Sequence, residues 1–137
     1  MRDYRIRFGP YEIDKNEYDE LKAFCRQYPK KKARAAALAD VSSPALSGMP
    51  HGTGVSDPVG RAVEKRERLL RDCEMIERIA AEVDGGRFAK ALILNCCCGV
   101  GYAYMDSTIL PTNRKNDYFL ARRKFFWKLK NERIGEN

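Results

Sequence analysis

Hydrophobic positions recur at helical spacing in successive stretches of this 137-residue chain, and turns rich in Gly, Pro, Ser and Asp separate them. Asp14 followed by Glu17 has the form of a capping box, and Tyr18, Leu21, Cys25 and Tyr28 then share a face. That pattern predicts a first helix from Lys15 to about Tyr28. Pro29 can open a helix but not continue one unkinked, and the following KKKARAAALA is rich in good helix formers, so a second helix is predicted over 29–39. Residues 1–13 show no sustained period and read as an extended lead-in. Residues 40–57, DVSSPALSGMPHGTGVSD, are dense in Ser, Gly and Pro and read as a long loop.

Ser56-Asp57-Pro58 signals the next helix start, and Val59, Ala62, Val63, Leu69, Leu70, Cys73, Ile76, Ala80 and Val83 carry the pattern to Val83. At about 1.5 Å per residue this helix would be about 39 Å long, a scaffold for the chain. The seven-residue row Ala62, Leu69, Ile76, Val83 fits a homodimer seam or packing within the chain. Its shortness and the interruption of the pattern by Arg66 favour the second. Asp84-Gly85-Gly86 should end the helix, glycine supplying a left-handed conformation.

The stretch from Gly86 to Arg133 then reads as apolar helix, glycine turn, short helix and capped basic helix, the order of a helix-turn-helix. RFAKALILNCCC would send Phe88, Leu92, Ile93 and Cys96 into the core, Gly99 and Gly101 would form the turn, and Tyr102 to Met105 a short helix. Thr112 is a good N-cap for a last helix from Asn113 to about Asn131. Tyr118, Phe125, Phe126 and Leu129 form its inward stripe, and Leu120 and Trp127 lie roughly opposite, as core or as a partner surface. The fold class expected is all-α, about five helices with a C-terminal helix-turn-helix-like unit. Residues 1–39 would form N-terminal helices, 40–57 a loop, and 58–137 the scaffold helix plus that unit, in one domain overall.

Charge adds a partner to this picture. The chain carries 26 Lys+Arg against 19 Asp+Glu, a formal net charge of +7, and the excess is concentrated in residues 85–137, with 10 basic and 4 acidic groups. Such a balance favours a polyanion. At the start of the last helix Asn113, Arg114, Lys115 and Asn116 are side chains suited to base edges and phosphates, and helices read bases chiefly from that end. Arg123 and Lys124 would extend the contact. Lys30, Lys31, Lys32 and Arg34 form a second basic cluster, read either as a solvated helix start or as a phosphate contact.

Candidate chemistry is sparse. His51, the single histidine, has no Cys, Asp or Glu at motif spacing, and the GTG beside it lacks the Gly-Lys-Ser/Thr of a phosphate loop. Cys25, Cys73, Cys96, Cys97 and Cys98 are an odd set suited to a reducing compartment. Consecutive helical cysteines point about 100° apart and do not readily share one ion, so the triplet reads as core filler in preference to a zinc site. No catalytic, metal or cofactor residues are expected, and the protein is not expected to be an enzyme. The absence of an apolar run near the N-terminus or of a span of about 18 apolar residues predicts a cytoplasmic protein with no membrane partner.

The phrase SPALSGMPHGTGVSDPVGRAVEKRERLL (Ser43 to Leu70), with the later GVGYAYM and LPTNRKNDYFLARRKFFWKL, resembles a group of small phage and prophage proteins. These are similar in turn to phage late-gene transcriptional regulators of the RinA and ArpU type, whose helix-turn-helix is like that of bacterial sigma factors. The resemblance implies a DNA-binding transcriptional regulator in a bacterial host cell, with Thr112 capping the recognition helix and Asn113, Arg114, Lys115 and Asn116 at its reading end. The chain departs from that pattern in the length of the Met105–Thr112 connection and in its aromatic last helix. Double-stranded DNA is then the expected partner, with RNA polymerase a second candidate. The competing expectation is a helical phage assembly or protein-interaction component without DNA sequence specificity.

Overall fold

Asp14 caps the first helix as its sequence requires: its Oδ1 accepts the Glu17 N–H at 3.0 Å, while Glu17 Oε1 accepts the Asp14 N–H at 3.2 Å. The computed structural model describes residues 9–41 and 58–135, and among them the protein is all helical, with no strand. The helices are α1 (Lys15–Arg26), α2 (Tyr28–Val41), α3 (Pro58–Glu82), α4 (Ala89–Leu92) and α5 (Lys115–Gly135). Single 3₁₀ turns lie at Gly9–Tyr11, Val83–Gly86 and Tyr102–Tyr104. The second helix runs to Val41, two residues into the expected loop. The remainder of that loop, with His51, and most of the N-terminal lead-in lie outside the described residues.

The chain groups into two compact units, Met1–Gln27 with Met75–Asn137, and Tyr28–Glu74. Within the second unit α2 and the first part of α3 run antiparallel. Lys31 Nζ meets Asp72 Oδ2 at 2.6 Å, and the Cys73 thiol donates to the Tyr28 carbonyl at 3.9 Å. At the other end Leu38 lines a groove with Pro58 and Ala62. Lys31 of the α2 cluster therefore has a carboxylate partner on α3.

The first unit is built around α5. Its predicted inward stripe holds: Tyr118, Phe125, Phe126 and Leu129 are fully buried, as is Ala121 between them. Tyr18 of α1 meets Phe126 edge-on at 5.1 Å, and Phe88 meets Tyr118 at 5.9 Å. Ile76, Ile79, Val83 and Leu92 are among the residues buried against it from the rest of the unit. Ile79 was not among the residues expected from the row along α3. Trp127 is half-buried and stands edge-on to Tyr11 at 5.4 Å, whereas Leu120 is 42% exposed. The two positions, alike by helical spacing, thus differ in role.

Helix α3 ends where the glycines predict. Asp84, Gly85 and Gly86 all have positive φ, 49°, 72° and 89°. A Cβ on Gly86 would lie 3.0 Å from the Ala81 carbonyl oxygen, so glycine is required there for space as well as for φ.

The apolar segment that follows departs from a regular helix. Four α-helical residues give way to a π-helical turn over Ile93–Cys97, in which Cys98 N–H donates to the Ile93 carbonyl five residues back, at 3.1 Å. The widened turn changes the facing of the cysteines: adjacent Cys96 and Cys97 are both buried and Cys98 is exposed. Cys96 and Cys97 pack as core side chains alongside Cys25. Burial pushes the Cys96 thiol up to about 11, with Arg122 opposing, and a hydrogen bond to Cys97, with burial second, raises Cys25 well above the ordinary thiol range.

Candidate nucleic-acid interface

The turn after the π segment is tied to α5 by one side chain. Asn95 donates to the Val100 carbonyl at 2.8 Å and accepts from the Tyr118 hydroxyl at 2.7 Å. Gly99 takes φ 79°, whereas Gly101 is extended (φ −66°, ψ 153°), so the turn relies on the first glycine. A single 3₁₀ turn replaces the expected short helix, and the next connection folds on Asp106. Asp106 Oδ1 accepts the Thr108 N–H at 3.0 Å and its hydroxyl at 2.5 Å, and these bonds hold the carboxyl below the ordinary carboxylate range. Residues 98–114 thus separate the π segment from α5, where a helix-turn-helix uses a turn of three or four residues. A helix-turn-helix in the strict sense is not shown.

Thr112 does not cap α5 in the manner expected. Its Oγ1 accepts the Arg114 N–H at 3.1 Å, closing a local turn, and α5 begins at Lys115 and continues to Gly135. Asn113 and Arg114 consequently precede the helix instead of forming its first turn. Asn113, Arg114, Lys115 and Asn116 are all exposed, and Thr112 is half-buried. Arg114 lies 3.8 Å from Asp117, a loose pair at the surface. Lys115 Nζ sits over the Tyr102 and Phe119 rings, 5.8 and 5.7 Å from their centroids.

The remaining predicted contacts are not brought to this end. Lys124 is nine positions beyond Lys115, about 13 Å along the axis, and its Nζ meets Asp84 Oδ1 at 2.9 Å with both side chains mostly covered. That bond raises the Lys124 pKa and ties the charge to Asp84. Arg123 is half-buried. Other cations of α5 have similar internal contacts: Lys130 with Glu17 at 3.3 Å, Arg133 over Phe24 at 4.1 Å, and Arg122 over Phe126 at 5.4 Å. Much of the C-terminal positive charge therefore holds the unit together. The part presented outward at the start of α5 is Arg114 and Lys115, flanked by two asparagines.

Sequence reasoning did not single out the aromatic side of this end. Tyr102 contacts Tyr118 and Phe119, with centroids at 5.6 and 5.4 Å, and Tyr104 is 84% exposed. The signal available was the pair of tyrosines in GVGYAYM, directly after the glycine turn. Among the described residues no group of three or more His, Cys, Asp or Glu side chains could hold a metal ion, and no helix is long and apolar enough to cross a membrane. No protein-family model, curated protein or solved structure matches the chain.

Proposed function

We propose that this protein is a non-enzymatic DNA-binding regulator of phage or prophage transcription, acting in the bacterial cytoplasm. It would contact duplex DNA with Asn113, Arg114, Lys115 and Asn116. The observation that carries the reading is the simultaneous exposure of these four residues just before and at the start of a 21-residue helix anchored in the core by Tyr118, Ala121, Phe125, Phe126 and Leu129. A rigid helix with its N-terminus outward directs backbone N–H groups and a positive dipole end toward phosphate, and the flanking side chains can read base edges. Thr112 supports the approach by ordering the Arg114 backbone. Arg123 and Lys124, which lie farther along α5, the latter bound to Asp84, are not among the proposed contacts. RNA polymerase and a second copy of the chain are further candidate partners.

Selection of bound duplexes from a random pool tests this reading. An enriched motif that is lost with the Arg114→Ala/Lys115→Ala variant is expected. Retention without enrichment would reduce the protein to a basic binder, and no retention at low salt would overturn the proposal. One observation favours the other reading, a helical assembly component: Leu120 is exposed on α5 at 42%. A stable oligomer by light scattering that dissociates on Leu120→Asp, with no duplex affinity, would establish it instead.

A further inference from the structure

Helix α3 opens with three cations on one face. Arg61, Lys65 and Arg68 follow one another at steps of four and three positions, span about 10 Å of helix axis, and are all exposed. Among the described residues none of the three has an ion-pair partner; Asp72, four positions beyond Arg68, is held by Lys31 at 2.6 Å. Lys65 therefore has a like charge on either side of it along this face, an arrangement that costs a helix stability. The three cations line one groove, of about 530 Å³, with Leu38 of α2 and with Pro58 and Ala62. Ala62 is buried and Leu38 half-buried, so the groove has an apolar floor beneath a cationic edge. Its one acidic member, Glu64, leaves the positive charge in excess.

We propose that this groove docks an acidic amphipathic helix of a partner protein, whose carboxylates meet Arg61, Lys65 and Arg68 while its apolar row lies against Leu38, Pro58 and Ala62. The groove belongs to the unit Tyr28–Glu74, and the docking is independent of the duplex contact proposed at the start of α5. Three features select a helix over a nucleic acid. A helix laid along α3 repeats its side chains at the same rise, so carboxylates spaced i, i+4 and i+7 face the three cations in register. The apolar floor suits leucine-like side chains, which a phosphate backbone lacks. Glu64 repels a continuous polyanion, whereas a helix can set a neutral residue opposite it. Each exposed ion pair contributes roughly twofold, so three in register change affinity by about tenfold.

The test uses the full chain and three fluorescein-labelled helical peptides that share one leucine face and carry Glu, Gln or Lys at flanking positions spaced i, i+4 and i+7. Binding is followed by anisotropy at low salt, about 50 mM, where surface charge is least screened. The Glu peptide should bind about tenfold more tightly than the Gln peptide. Arg61→Gln/Lys65→Gln/Arg68→Gln, which keeps good helix formers at exposed positions, should abolish that preference and leave the thermal melt by circular dichroism close to wild type. Arg61→Glu/Lys65→Glu/Arg68→Glu should reverse it, taking the Lys peptide over the Glu peptide. Equal affinity of wild type for the Glu and Gln peptides, or a preference that survives the Gln substitutions, overturns the inference. Loss of duplex affinity in the Gln variant without any peptide preference assigns the groove to nucleic acid and also overturns it. A dimer by light scattering that the same substitutions dissociate, again without peptide preference, assigns the groove to a second copy of the chain and overturns it likewise.

Discussion

Removing the Tyr118 hydroxyl should loosen the joint between α5 and the turn that precedes the proposed interface. Tyr118 is fully buried, and burial, with Cys96 second, holds its phenol well above the ordinary range, so it remains a donor at working pH. Its hydroxyl donates to Asn95, whose amide in turn donates to Val100. In Tyr118→Phe the ring contacts with Phe88 and Phe119 remain and only the hydroxyl is lost. The lost bond is worth about 1 kcal/mol, and leaving the half-buried Asn95 oxygen without that donor adds a desolvation cost, so about 1–2 kcal/mol of destabilisation is expected. Asn95→Ala breaks both bonds and should cost about 2–3 kcal/mol. If the two residues act as one chain, the double variant should be less destabilised than the sum of the singles by about 1 kcal/mol. Urea unfolding followed by far-ultraviolet circular dichroism measures each value. With a slope of about 2 kcal/mol/M, the Tyr118→Phe midpoint should fall by about 0.5–1 M. A change below about 0.3 kcal/mol, or strict additivity of the two substitutions, would refute the coupling.

Two further outcomes follow from the same unit. An ordinary thiol ionises near 9 but Cys96 only at about 11. Above pH 9 the unfolded chain therefore releases a proton that the folded chain keeps, and stability falls as pH rises through this window. At about 1.36 kcal/mol per pH unit, the stability advantage of wild type over Cys96→Ala should shrink by about 2 kcal/mol between pH 8 and pH 10.5 in urea titrations; a constant difference would contradict it. Gly86→Ala forces a Cβ to 3.0 Å from the Ala81 oxygen at φ 89°, whereas Gly85→Ala meets nothing within 4 Å. The first should cost about 2 kcal/mol or more and the second about 1 kcal/mol in thermal or chemical melts, and equal costs would refute the steric assignment.

Much of the fold is legible in the sequence because the signals are local. The Asp14/Glu17 capping box, the Tyr118–Leu129 stripe and the Asp84-Gly85-Gly86 stop each depend on residues within a few turns of one another. The π-helical turn over Ile93–Cys97 is different: one extra residue per turn leaves no trace in hydropathy, and it alters which of three identical cysteines face inward. Lys124 reads as an outward cation until Asp84, forty positions earlier, is placed beside it. Thr112 and the following residues offer several capping side chains in a row, and spacing alone does not show that the Thr112 hydroxyl would serve the Arg114 N–H. The exposed end of α5 was legible as charge. The groove lined by Leu38 and the Arg61, Lys65, Arg68 row was not, because these residues come together only where α2 and α3 pack.

The central claim, that Arg114 and Lys115 engage duplex phosphates, is tested most directly by salt titration of duplex binding, followed by anisotropy from 50 to 200 mM monovalent salt. Each phosphate contact contributes about 0.9 to the slope of log K against log salt. Arg114→Ala/Lys115→Ala should therefore reduce the slope by about 1.8 and weaken binding across sequences, while Lys124→Ala, which removes a cation already joined to Asp84, should change it by less. A slope and affinity unaltered by the double substitution would contradict the assignment of the interface to this end of α5.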